Sequence, residues 1–168
     1  AMRSSRAGAS MKLAAIVALA VLVLDQLTKF LALARLSPGL PVPLVEGLLA
    51  LTLVMNPGLA FGIFAATPPG WRWLVALLSI CALSALASLS ARLLPTGGWL
   101  ASLSLGLIFG GAVGNLVDRG RFGAVVDFID FHWQGYHWPA FNVADSAITV
   151  GVGLLAAQLL FSRKSTQG

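Results

Sequence analysis

The chain has one cysteine, one tyrosine and two histidines among 168 residues, and charged residues make up only 10% of it. A lone cysteine, Cys81, excludes an intrachain disulfide and any multi-cysteine metal site. So little charge excludes a disordered chain and an ordinary soluble domain, in which about 25% of residues are charged. There is no His-Glu-x-x-His, no Gly-x-Ser-x-Gly and no glycine-rich nucleotide loop after a strand. Zinc-protease, serine-hydrolase and nucleotide chemistry therefore lack sequence support. His132 and His137, five apart among aromatic residues, read as interfacial side chains; neither a metal nor a cofactor is expected.

What fills the space is apolar: 58% of residues, with a mean hydropathy of +0.88. That composition predicts an α-helical integral membrane protein forming one domain over 1–168. Four apolar runs predict spans over about 12–34, 72–92, 98–118 and 141–162, preceded by a disordered tail at 1–11. Eleven Lys and Arg against six Asp and Glu give a net charge of +5, which in a soluble protein would suggest a polyanionic partner. Here Arg3, Arg6 and Lys12 precede the first run, and Arg163 and Lys164 follow the last. This is the positive-inside pattern with both termini cytoplasmic, although Arg35, Arg72, Arg119 and Arg121 lie in the outward links. No nucleic acid is expected as partner. A cleaved signal peptide is the rival reading of the first run, since Ala32-Leu33-Ala34 resembles a cleavage site; Asp25 and Lys29 beside the hydrophobic stretch speak against it.

The outward links have strand character. Residues 48–55 and 125–131 are rich in apolar and β-branched side chains, and turn signals follow at Pro57-Gly58 and Gln134-Gly135. They predict a small antiparallel sheet at the outer face, flanked by the interfacial aromatics Trp71, Trp73, Trp133, Tyr136 and Trp138.

Ionisable side chains inside apolar spans are costly and therefore informative. Asp25 stands about 20 Å up the first helix from Lys12, and Asn115 and Asp145 about 24 Å from the inner ends of theirs, at 1.5 Å per residue. A shared depth in three spans points to one site near the outer surface. Asp25 and Lys29 are spaced i,i+4, and Asn115, Asp118 and Arg119 fall at i, i+3 and i+4. Paired ions of this kind read first as neutralising staples. Gly106, Gly110 and Gly114, with Gly111 beside them, form a small-residue stripe for close helix contact. Asp127 and Asp145 have no adjacent cation in sequence. If they meet, one of them must hold a proton, a state suited to acid–base hydrolysis; sequence alone gives no distance between them.

Five segments then fall into a pattern: Asp25-Gln26-Leu27-Thr28-Lys29, Asn56-Pro57-Gly58-Leu59-Ala60-Phe61, Gly110 to Arg119, Val126-Asp127-Phe128 and Phe141-Asn142-Val143-Ala144-Asp145. In order and spacing they resemble lipoprotein signal peptidase, the type II signal peptidase of bacteria, from about residue 12 to 164. The resemblance implies a multi-pass aspartic endopeptidase of the bacterial inner membrane, with four transmembrane helices and a small extracytoplasmic β-cradle; a monomer is expected. It would cut the signal peptide from diacylglyceryl-modified prolipoproteins just before the lipidated Cys, needing membrane lipid around it but no cofactor. Asp127 and Asp145 would be the catalytic dyad. Asn56, Gly58, Asn115, Arg119 and Asn142 would bind and orient substrate, with Asp25, Lys29 and Asp118 as structural support. Globomycin-type inhibitors would occupy the same site, near the outer face, and the loop beginning at Asn56 would close over the substrate. The alternatives are a small proton-coupled membrane transporter, which would need polar groups through the full depth of the bilayer, and a non-catalytic assembly subunit built on the glycine stripe.

Overall fold

The structure is a computed structural model that describes residues 2–58, 72–94 and 97–164. Four helices carry the chain: α1 (Met2–Arg35), α2 (Arg72–Leu93), α3 (Gly98–Phe122) and α4 (Val143–Lys164). Among the described residues each contributes one segment long and apolar enough to cross a membrane: Gly8–Arg35, Trp73–Leu93, Gly98–Phe122 and Val143–Phe161. The stretch expected as a disordered tail is instead the start of α1, which is helical from Met2. Its Arg, Ala, Met and Lys residues are good helix formers continuous with the apolar span. Trp71, Pro95 and the motif residues Leu59, Ala60 and Phe61 lie outside the described residues, as does most of the loop expected to close over substrate.

Four strands form one antiparallel sheet in the order β1 (Val42–Val45), β2 (Leu49–Asn56), β3 (Val125–Trp133), β4 (Tyr136–His137). The two expected strands are the central pair, β2 and β3. The edges β1 and β4 are additional, and both are too short to show an alternating pattern in sequence. Gly123, in the left-handed region at φ 66°, ends α3 by donating its N–H to the Arg119 carbonyl at 3.0 Å and turns the chain directly into β3.

The bundle is built around α3. A β-carbon on Gly106 or Gly110 would come within 2.7 Å of the Ala14 carbonyl oxygen or 2.5 Å of that of Ala18, so α1 and α3 are in backbone contact along this stripe. On another side of α3, a β-carbon on Gly111 would lie 2.5 Å from the Ala144 carbonyl of α4. Close backbone approach is how helices gain dispersion energy where lipid removes the hydrophobic drive. Large apolar side chains such as Ile16, Leu19, Phe30, Leu160 and Phe161 point outward, whereas Asp25, Lys29, Asp118, Asp127 and Asn142 are buried. The interior at the sheet end of the bundle is thus polar, as expected when the solvent is hydrocarbon.

Candidate active site

Lys29 is the centre of a buried knot. Its Nζ lies 2.8 Å from Asp25 Oδ2 and 2.8 Å from Asp118 Oδ2, and it donates to Asn115 Oδ1 at 2.9 Å. Each carboxylate uses a further lone pair to hold another element. Asp118 accepts the Val126 backbone N–H at 3.1 Å, and Asp25 accepts that of Ala144 at 3.0 Å. Val126 precedes Asp127 on β3, and Ala144 precedes Asp145 on α4. The knot therefore fixes the backbone immediately before each of the two unpaired aspartates. Gln26, a residue of the first motif to which the sequence assigns no role, completes it by donating from Nε2 to Asp118 Oδ1 at 3.0 Å and to the Gly114 carbonyl at 3.3 Å. Its signal was a polar amide inside an apolar run.

Asp127 and Asp145 line one cavity of about 410 Å³, together with Asn56, Asn115, Arg119 and the wall residues Trp138, Phe141 and Ile148. Neither aspartate makes an ion pair among the described residues; amides hold both. Asn142 connects them. Its Nδ2 donates to Asp127 Oδ1 at 2.7 Å, its Oδ1 accepts the Asp145 N–H at 2.9 Å, and its own N–H donates to Asp145 Oδ2 at 3.3 Å. The last two bonds are a reciprocal capping box at the start of α4, with Asn142 as cap and Asp145 three residues on. Asn56 Nδ2 donates to Asp127 Oδ2 at 3.0 Å, and Asn115 Nδ2 donates to Asp145 Oδ1 at 2.8 Å.

Burial in this cavity pushes the Asp127 carboxyl up to about 7. The hydrogen bond from Asn56 opposes the shift, the charge of Asp145 adds to it, and Asn142 and Lys29 pull it back. Near neutral pH this acid is divided between its protonated and ionised forms.

The stripe Asn115, Asp118, Arg119 divides where 3.6 residues per turn would divide it. Asn115 and Arg119 face the cavity, and Asp118 turns to Lys29. Arg119 Nη2 donates to the Gly58 carbonyl at 2.8 Å and Nη1 to the Asn115 carbonyl at 3.3 Å. Gly58 in turn donates its N–H to Asn56 Oδ1 at 3.0 Å. Asn56, Gly58 and Arg119 thus form a brace at the cavity rim, and the guanidinium Nε is buried with no hydrogen-bond partner among the described residues. Ser146 Oγ, beside Asp145, is engaged with the Asn142 carbonyl at 3.0 Å, as befits a helical serine rather than a nucleophile.

The chain resembles known proteins in sequence and in fold. Residues 17–161 match the family model described as signal peptidase (SPase) II. The lipoprotein signal peptidase of Geobacter sulfurreducens is 45% identical over 144 residues, covering 86% of this chain and 89% of the relative. That of Pseudomonas aeruginosa (strain UCBPP-PA14) is 47% identical over 147 residues, covering 86% of each. Two bacterial membrane enzymes solved by the in meso method share the fold. One has a TM-score of 0.73 at 29% identity, with 92% of this chain and 91% of that chain covered. The other has 0.70 at 31%, with 88% and 92% covered. With the family model matched over most of its length, a four-span bundle capped by a sheet and relatives of this similarity, the chain belongs to the signal peptidase II family.

Proposed function

We propose that this protein is an aspartic endopeptidase that removes the signal peptide from lipid-modified prolipoproteins at the outer face of a bacterial inner membrane, cutting just before the diacylglyceryl-Cys. The observation that carries the reading is the pair Asp127 and Asp145, on separate elements, lining one cavity and joined through Asn142. Family membership supports the peptidase activity, and the basic chain ends support cytoplasmic termini with the sheet outside.

The chemistry follows from the surroundings of the two acids. Asp145 sits in the first turn of α4, where Asn115 and the Asn142 N–H each donate to one of its carboxylate oxygens. Asp127, its carboxyl raised to about 7 by burial, is available near neutral pH as the proton donor. The Asp145 carboxylate takes a proton from water as the oxygen attacks the scissile carbonyl carbon, and Asp127 gives its proton to the carbonyl oxygen. The resulting gem-diol collapses as its C–N bond breaks. The departing nitrogen takes the proton from Asp145, and a diol hydroxyl returns one to Asp127. The products are a peptide carboxylic acid and the free amine of the lipidated Cys. Asn56 and Asn142 orient Asp127, and Asn115 orients Asp145. Arg119 and Gly58 hold the rim against which the substrate backbone docks. The apolar wall of Trp138, Phe141 and Ile148 accepts the hydrophobic segment, as it would a globomycin-type cyclic peptide.

A proton-coupled transporter finds no support. The buried ionisable groups Asp25, Lys29, Asp118 and Asp127 gather at the sheet end, and the inner portions of the spans carry no acidic residue. The test is cleavage of a lipid-modified lipobox peptide by the purified protein, with the unmodified peptide as control. Cleavage before the modified Cys, lost in both Asp127→Asn and Asp145→Asn, is expected. Full turnover by either variant would refute the dyad.

A further inference from the structure

We propose that Asp130, His132 and His137 form a second site, at the far end of β3 from Asp127, that binds one divalent transition-metal ion of the zinc class. None of the three lines the cavity that holds the two catalytic candidates, and the hydrolysis above uses none of them.

The hairpin brings them together. Gln134 and Gly135 both have positive φ, 49° and 83°, forming a two-residue turn of the twist that suits a tight hairpin. This turn pairs Trp133 with Tyr136 and, one step further, His132 with His137. Gln134 holds a conformation that disfavours any residue with a side chain, so the hairpin is over-determined rather than incidental. Asp130 lies two residues before His132 on the same strand, hence on the same face.

The donor atoms fit a metal. His137 Nδ1 lies 2.9 Å from Asp130 Oδ1 and 3.0 Å from Oδ2, and His132 Nδ1 lies 3.7 Å from Oδ2. One ligand atom from each of the three falls within 4.8 Å of the others. Two ligands at about 2.0–2.1 Å from a tetrahedral ion stand roughly 3.3–3.4 Å apart, between the observed spacings. The imidazole rings stack with centroids 4.9 Å apart and planes inclined by 21°.

The second observation is an orphan. His132 Nδ1 is buried with no hydrogen-bond partner among the described residues, and the side chains of His132 and Asp130 are only 19% and 13% exposed. A buried ring nitrogen left without a partner is costly beside a carboxylate that a shared ion would join to it. His137, 60% exposed, leaves the remaining coordination positions open to water. Two imidazoles and one carboxylate suit zinc, and the set is too poor in oxygen for calcium or magnesium. An ion here would clamp β4 onto β3 directly before Trp138, whose N–H donates to the Phe131 carbonyl at 2.8 Å and whose side chain lines the cavity. The sequence reading placed these histidines as interfacial because five residues of spacing conceal a cross-strand pair.

The test uses the full, untagged chain in detergent, stripped of metal and titrated with Zn²⁺ by calorimetry and with Co²⁺ by visible absorption. The expected result is one saturable site per chain with the d–d bands of four- or five-coordinate Co²⁺. Affinity should fall about tenfold or more in His132→Gln and in His137→Gln. Both variants should keep their far-UV circular dichroism and still cleave the lipid-modified peptide. Absence of stoichiometric binding, or unchanged affinity in the double variant His132→Gln/His137→Gln, would overturn the proposal.

Discussion

At Asn142 one side chain touches both acids, donating to Asp127 and capping the helix through Asp145. Its removal therefore mixes a structural and a chemical loss, and the two are separable. Asn142→Ala should destabilise the protein by about 1 kcal/mol through the lost cap and lower kcat with little change in KM. Thermal unfolding and steady-state cleavage measure the two parts. For the acids themselves, Asp127→Asn and Asp145→Asn should each lower cleavage by about 10²–10⁴-fold or more, the range of a lost acid–base group. The stability profile carries its own sign. An acid whose carboxyl is raised to about 7 binds a proton in the folded state that the unfolded chain has released above about 4. Its stabilising contribution is thus full below about pH 4 and lost as pH climbs through about 7. Asp127→Asn should remove that decline from melting curves taken between these limits; an unaltered slope would assign it to other groups.

Among the elements, the Lys29 knot ties α1 to α3, and through Val126 and Ala144 to β3 and α4. Lys29→Met would leave two buried carboxylates without their cation, a loss of about 3–5 kcal/mol, read as failure to purify in folded form or as a large fall in melting temperature. Gly114 sits against Asp25 so closely that any side chain there would strike the Asp25 carboxylate. Gly114→Ala should accordingly impair folding and activity together, whereas alanine at Gly153, which has open space around it, should be silent in both assays. Much at this scale was legible in sequence. The helices follow from apolar length, and the glycine stripe announced the α1–α3 contact. The i,i+4 spacing of Asp25 and Lys29 gave their ion pair, and five short motifs gave the family resemblance. What the spacing could not yield was the partner of each group across the bundle. Asp118 sits beside Arg119 in sequence yet pairs with Lys29, and Gln26 reaches α3 from the turn it shares with Asp25. His132 and His137 meet only because a two-residue turn folds one onto the other.

For the molecule as a whole, the buried ionisable groups gather at one end of a bundle whose outer surface is apolar. The sheet and the cavity occupy that end, and orientation in the membrane decides which compartment they meet. A Tyr136→Cys substitution on a Cys81→Ala background should be labelled by a membrane-impermeant maleimide added to intact spheroplasts, since Tyr136 is fully at the surface of the hairpin. Labelling only after lysis would invert the topology. The capping box has a final consequence, for biogenesis. Asp145 arrives only with α4, and the bonds that start that helix are the ones that aim its carboxylate. A chain in which α4 has not yet formed therefore lacks the cap and the aimed carboxylate together.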